Sequence, residues 1–270
     1  MHFGSDMRLT RLSRPLIKLF GNITKVSSYV VHAVFPKLRF EIPSHSPPII
    51  RRQSNENPRL IPAVIWQTNF TNRVTLPVYI NYLFNRIMSP KFTYRFMTTA
   101  ERDTFVSDSY PAAIYSAYRR LQIGAAQADY WRLLILLKHG GVYMDIDAHL
   151  VWPLGWIMKA TDSEVLLRTK TGELSNYFIA SKPNNPILQD IAKQVLINIE
   201  TESSDNVYDI TGPGVFNSVL RGRLVNTGDY HDICNQGNFT NEYFQYIDKP
   251  QGKWTKEQAK IPVIRGARND

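Results

Sequence analysis

Cysteine is nearly absent from this 270-residue chain, with Cys234 the only one. A lone thiol closes no internal disulfide and builds no cysteine zinc cluster. The fold must therefore stand on its own core, and a disulfide-stapled secreted design is excluded. Long apolar runs are missing too. No stretch reaches the ~20 apolar residues of a membrane-spanning helix, and the apolar segment 26–35 is short and carries His32. A cleavable signal peptide fits poorly, since charge interrupts the apolar run and no clear small-residue cleavage site follows. Acidic residues are missing from one long stretch, with none between Arg8 and Arg39. The remaining composition is ordinary, at 43% apolar and 20% charged residues. Collagen-like, mucin-like and wholly disordered chains are thereby excluded, and one large domain is favoured.

The net charge of +9 is unevenly spread. Residues 1–60 hold ten basic and three acidic residues, a net of +7, which leaves +2 for residues 61–270. In the basic extension, Leu9, Leu12, Leu16, Leu19, Ile23, Val26 and Val30 recur at helical spacing, while Arg11, Lys18 and Lys25 repeat every seven residues on the other face. Such a helix reads as an interfacial membrane anchor on an anionic surface, with Pro15 expected to start or kink it. An amphipathic helix packed on the body and an organellar targeting segment are the alternatives. Nucleic acid is not expected as a partner, because the extension lacks interleaved aromatics and the body has no basic excess. Residues 41–59, rich in Pro, Ser and Asn, read as a linker between an extension (1–40) and a folded domain (60–270).

The body alternates apolar strands with helices. Strands are expected at 61–67, 92–97, 142–146, 165–167 and 177–180. Helices are expected at 77–88, 100–107, 112–120, 125–139 and 186–199, with another after the turn at 211–214. This order implies an α/β fold with a mostly parallel sheet flanked by helices. The helix at 125–139 stops at Gly140-Gly141, and the strand that follows ends in Asp145-Ile146-Asp147. Burying unpaired carboxylates is costly. Two of them, two residues apart on a strand, point the same way and can converge on one hard divalent cation such as Mg²⁺ or Mn²⁺; an exposed strand end is the bland alternative. Asp129 and Arg132, three apart on the preceding helix, share a face. They form either a local ion pair or a pair aimed at the same site.

The stretch Ala125-Ala126-Gln127-Ala128-Asp129-Tyr130-Trp131-Arg132, followed by His139-Gly140-Gly141-Val142-Tyr143-Met144-Asp145-Ile146-Asp147, resembles the DXD sugar-binding glycosyltransferases. The likeness is to the group of yeast initiating α-1,6-mannosyltransferases, sphingolipid mannosyltransferases and bacterial capsule-type transferases (family 32-like). Weaker matches lie in the expected order: residues 61–68 as the opening strand, 176–180 with Asn185-Pro186, and Thr211-Gly212-Pro213-Gly214. The resemblance spans about residues 60–220. It implies a GT-A fold, a UDP- or GDP-hexose donor, a divalent cation and retention of anomeric configuration. Carried over by position, Asp145 and Asp147 hold the cation, and Asp145 also meets the donor's diphosphate–ribose part. Asp129 and Arg132 contact the donor sugar as the catalytic pair, Asn176 lines the sugar pocket and Trp66 lies near the base. Trp66 as a plain core residue and Asn176 as a turn residue are the competing readings.

Residues 221–270 match only loosely, with His231, Asp232 and Trp254 as candidates to complete the metal shell. A transferase acting on a glycan or glycolipid at a cytosol-facing, bacterial membrane surface is the expected function. A toxin-like transferase acting on a protein is the alternative. A DxD phosphohydrolase is disfavoured by His149, which stands where that class has Thr or Val.

Overall fold

A computed structural model describes residues 6–51 and 58–266, with side chains from Ser13 onward. In chain order the strands are β1 (Phe40–Glu41), β2 (His45–Ser46), β3 (Val64–Thr68), β4 (Arg73–Val74), β5 (Thr93–Met97), β6 (Gly141–Met144), β7 (Ala148–Leu150), β8 (Glu164–Arg168), β9 (Leu174–Ser181), β10 (Thr227–Asp229) and β11 (Cys234–Gln236). The principal helices are α1 (Asp6–Val34), α2 (Leu76–Met88), α3 (Thr99–Ser109), α4 (Ala112–Arg120) and α5 (Gly124–His139). Short helices at Val207–Ile210, Glu242–Tyr246 and Trp254–Glu257 edge the cleft described below.

Seven strands form the central sheet in the order β10-β8-β9-β6-β3-β5-β2. β3 pairs in parallel with both β5 and β6, and β8 with β10, while β9 and β2 run against their neighbours. Five of the seven strands thus share one direction, as the alternating sequence implies. Separate apolar clusters cover the two faces. One is built on α4, α5 and the Pro186–Glu200 helix, the other on α2 and β7. Strands covered on both sides need continuous apolar sequence, and all four residues of β6 are buried.

The connection from α5 to β6 sets the site. α5 is buried almost all round, from Tyr130 to Leu136. Gly140 (φ 64°) and Gly141 (φ 107°) then reverse the chain. A Cβ on Gly141 would lie 2.5 Å from Val64 Cγ1, so only glycine lets β6 settle against β3.

Three features depart from the sequence reading. Residues 41–51 are not a free linker: β1 pairs with β4, β2 extends the central sheet, and Ile42 is fully buried. Extended, proline-rich backbone suits a sheet edge, where one side of the strand needs no partner. α1 runs through Pro15 without ending there. Its docking departs from the packed-helix alternative, in which the apolar stripe would face the body. The face against the body carries Ile17, Gly21, Thr24, Ser28 and His32, whereas Leu16, Leu19, Ile23, Val26 and Val30 face outward. Small side chains allow the close approach that the larger apolar ones would prevent. The side chains of Leu9, Arg11 and Leu12 lie outside the described residues.

Candidate functional site

A cleft of ≈ 740 Å³ opens beyond the C-terminal ends of β3, β5 and β6 and is bordered by the C-terminal segment. Asp129, Arg132, Asp145, Asp147 and Asn176 all line it. Five of the six expected site residues therefore meet in one place, drawn from α5, the turn after β6, and β9.

The acidic pair does not lie on a strand. β6 ends at Met144 and β7 begins at Ala148, so Asp145-Ile146-Asp147 forms the tight turn between them, closed by Ala148 N–H donating to Asp145 O at 3.0 Å. The two carboxylates converge through a third side chain. Gln236 Nε2 donates to Asp145 Oδ2 at 3.0 Å and to Asp147 Oδ1 at 3.2 Å. Gln245 Nε2 donates to Asp147 Oδ2 at 3.2 Å. The Tyr143 hydroxyl donates to Asp145 Oδ1 at 2.6 Å.

Asp129 and Arg132 form the expected ion pair at 2.8 Å, buried to 7% and 4% exposure. Arg132 reaches further. Its Nη2 lies 3.2 Å from Asp145 Oδ1, its Nη1 donates to the Asn176 carbonyl at 2.6 Å, and its guanidinium lies 4.2 Å from the Tyr143 ring centre. Most of its five N–H groups are thus spent inside the protein, and Arg132 joins helix α5 to the acidic turn. Asp129 is held by Asn176 Nδ2 at 2.9 Å and by the Thr211 hydroxyl at 3.2 Å.

Burial governs the titration of these groups. It pushes Asp129 up to about 6 against the opposing pull of Arg132, Thr211 and Asn176. It likewise pushes Asp147 up to about 6, helped by the Asp145 charge. For Arg132, burial acts downward, but Tyr143 and the three aspartates outweigh it and hold the guanidinium above its usual range.

The residues present fit a divalent cation. Among the described residues Asp147 has no ion pair, so a half-buried carboxylate beside a second one is in contact with amide donors alone. Its neighbours are hard oxygen donors: two carboxylates and two amides, with the Gln236 amide able to turn its Oε1 inward. No cluster of three His, Cys, Asp or Glu residues stands there among the described residues, so the further donors are amides.

Trp66 is a correction. It does not line the cleft; it is 7% exposed, donates from Nε1 to the Gly140 carbonyl at 2.9 Å, and packs against His139. Trp66 packs in the apolar cluster that also holds the α5 core, and its indole braces the glycine turn. Asp232 pairs with Arg14 away from the cleft, His231 stacks on Tyr230, and Trp254 does line the cleft. The residues missed are Gln236, Gln245, Tyr143 and Arg102. Arg102 is 3% exposed at the cleft wall and has no ion pair among the described residues. Neutral amides at the end of a three-residue strand and in a five-residue helix carry no charge pattern or spacing that would mark them in advance.

The chain's similarities fall on the same part of it. Residues 50–171 match the family described as "Glycosyltransferase sugar-binding region containing DXD motif". The initiation-specific α-1,6-mannosyltransferase of Schizosaccharomyces pombe is 25% identical over 228 residues, 72% of this chain and 54% of that protein. The mannosyl phosphorylinositol ceramide synthase CSH1 of Saccharomyces cerevisiae is 28% identical over 138 residues, 51% of this chain and 36% of that protein. This chain therefore spans about half or less of the length of these relatives. Among solved structures, the PaToxG glycosyltransferase is 18% identical, covers 59% of this chain and 69% of its own, and superposes with a TM-score of 0.45. The acidic turn and its aspartate–arginine helix both lie within residues 50–171, the part of the chain that is similar to the glycosyltransferase sugar-binding region containing a DXD motif.

Proposed function

We propose that this protein is a metal-dependent, retaining hexosyltransferase that takes a sugar from UDP- or GDP-hexose and passes it to a glycan or glycolipid acceptor. The observation that carries the reading is the convergence of Asp129, Arg132, Asp145, Asp147 and Asn176 on one cleft wall.

Asp145 and Asp147 would hold Mn²⁺ or Mg²⁺, with an amide from Gln236 or Gln245 beside them. A bound cation of this kind offsets negative charge on a departing diphosphate. The protein's own groups do the rest. Arg132 fixes Asp145 and hence the acidic turn. Tyr143 donates to the same carboxylate and keeps one of its oxygens in a defined direction. Asn176 and Thr211 orient Asp129 at the edge where the donor sugar would lie. Arg102 adds a second buried cation to the wall, suited to an anionic donor. Among the described residues, every carboxylate lining the cleft has a partner, which favours a same-face displacement assisted by the donor over attack by a free carboxylate.

The outward apolar stripe of α1 supports a seat on an anionic membrane surface. No helix among the described residues is long and apolar enough to cross a membrane. The reading keeps a peripheral, cytosol-facing seat at a membrane surface as its expectation.

The test is a donor screen with Mn²⁺ that measures release of UDP or GDP. Release is expected with one class of nucleotide sugar and lost in Asp147→Ala. Full activity in Asp147→Ala would sink the metal assignment, and silence with every donor and acceptor would sink the transferase reading.

A further inference from the structure

The segment that brings Gln236 and Gln245 to the acidic turn has little support of its own. β11 pairs with β7 for three residues, ending at Gln236 opposite Ala148. Beyond it, residues 237–241 belong to no strand or helix, and the five-residue helix Glu242–Tyr246 then delivers Gln245. A chain path of this kind keeps two amides on target only if something stands behind it.

α1 stands behind it, together with Phe84 of α2, whose ring lies 4.9 Å from that of Phe239, and Thr75, whose hydroxyl donates to the Phe244 carbonyl at 2.9 Å. Gly21 packs so closely that a Cβ would lie 2.8 Å from the Asn238 carbonyl oxygen. One turn on, Lys25 Nζ donates to the Gly237 carbonyl at 3.1 Å. A further turn on, the Tyr29 hydroxyl accepts from Asn241 Nδ2 at 2.8 Å, and its ring lies 4.6 Å from that of Phe244. Residues 21, 25 and 29 form one stripe along a helix face. That stripe runs beside the segment from Gly237 to Phe244. Gly237 N–H in turn donates to the Asp147 carbonyl at 3.2 Å, so the support reaches the acidic turn through both backbone and side chains.

We propose that Gly21, Lys25 and Tyr29 are positioning residues of the donor site: α1 is the backing of the segment that presents Gln236 and Gln245 to Asp145 and Asp147, and not a detachable tether. The proposal rests on the transferase reading for its ligand and on the geometry alone for the coupling. The basic extension then has two working faces. The inner one sets the cleft, and the outer one is free for a membrane.

The experiment compares the full chain with Gly21→Leu, Lys25→Met, Lys25→Arg and Tyr29→Phe. Hydrogen–deuterium exchange without ligand reads the coupling directly. Mn²⁺ titration in the presence of UDP or GDP, followed by electron paramagnetic resonance, reads the site. Gly21→Leu is expected to speed exchange across 236–246 and to weaken Mn²⁺ binding about tenfold, the scale of lost support behind metal ligands. Its donor KM should rise more than its kcat falls. Lys25→Met should show the same changes to a lesser degree, and Lys25→Arg should restore them. If Gly21→Leu does not fold, Lys25→Met and Tyr29→Phe carry the comparison. Unchanged exchange at 236–246 and unchanged Mn²⁺ affinity in the folded variants would overturn the proposal. A wild-type chain that binds no Mn²⁺ would remove the donor-site half together with the transferase reading, while the exchange data still decide whether α1 backs the segment.

Discussion

In the cleft, Asp129 and Arg132 are buried to 7% and 4% exposure, whereas on α1 the apolar residues Leu16, Ile23, Val26 and Val30 stand between 57% and 68% exposed. One region keeps charge inside and the other keeps hydrocarbon outside. The cleft has largely met its own cost. Arg132 serves Asp129, Asp145 and the Asn176 carbonyl, so each of these desolvated groups has a partner. The outer face of α1 has met little of its cost, since more than half of each of these apolar side chains stays exposed. Within the cleft, Asp147 resembles α1 more than it resembles Asp129, being a half-buried carboxylate in contact with amide donors alone. Both unmet demands call for something from outside, a divalent ion in one case and an apolar layer with anionic headgroups in the other.

Removing the cleft's central cation should have the largest effect. Arg132→Met leaves buried Asp129 and half-buried Asp145 without their ion pair, and breaking a buried pair such as Arg132–Asp129 costs about 3–5 kcal/mol. Urea denaturation should record that loss together with loss of nucleotide release. A cost below about 1 kcal/mol would mean that water reaches the pair and screens it as on a surface. Next in size is Trp66→Phe. The ring volume is partly kept, but the Gly140 carbonyl loses its donor, at a cost of about 1–3 kcal/mol. The donor KM should stay unchanged. A raised KM with unaltered stability would return Trp66 to the nucleotide site.

On α1 the same comparison predicts almost no change in stability. Ile23→Asp with Val30→Asp alters exposed positions only, where substitutions stay within about 0.5 kcal/mol. Sedimentation with anionic vesicles should nevertheless fall sharply, because the face loses apolar area and gains negative charge. Vesicle binding equal to wild type would remove the outer face as the membrane seat.

Much of this was legible in the sequence, and the reasons differ by residue. The α5–β6 unit could be read because Gly140-Gly141 and the apolar run on each side leave the chain few alternatives. The meeting of Asp129, Arg132 and Asp145 followed from helix spacing and that short turn. The sequence left two placements of α1 open, on a membrane or on the body, since periodicity locates an apolar face without saying which face packs. Here Gly21, Thr24 and Ser28 win the inner position by their small size. Gln236 and Gln245 were hidden for another reason. They lie 89 and 98 residues beyond Asp147 as its partners, and neutral amides mark no pattern that spacing could reveal. The 41–51 segment had a linker's composition, but sheet-edge pairing is decided by neighbours distant in sequence.

The smallest expected effect separates the two regions by the sign of their response to pH. His32, at the body end of α1, accepts the Leu76 N–H on Nε2 at 3.2 Å. Burial lowers its affinity for a proton, the facing Arg39 lowers it further, and Asp248 opposes them. A histidine whose folded value lies below the ordinary 6.5 is protonated first in the unfolded chain. Its contribution is therefore intact above pH 6.5 and is lost as the pH falls. Asp129 behaves in the opposite way. Its folded value of about 6 lies above the ordinary 3.8, so the folded chain holds the proton more tightly, and its contribution grows as the pH falls through 6. Thermal midpoints measured from pH 7.5 to 5 should show this opposition. His32→Asn should lose less stability on acidification than wild type, because it no longer carries the group that gains a proton on unfolding. Asp129→Asn should lose more, because it no longer has the carboxyl that steadies the cleft at low pH. Equal slopes in the two variants would show that α1 and the cleft do not differ in the way their buried groups are held.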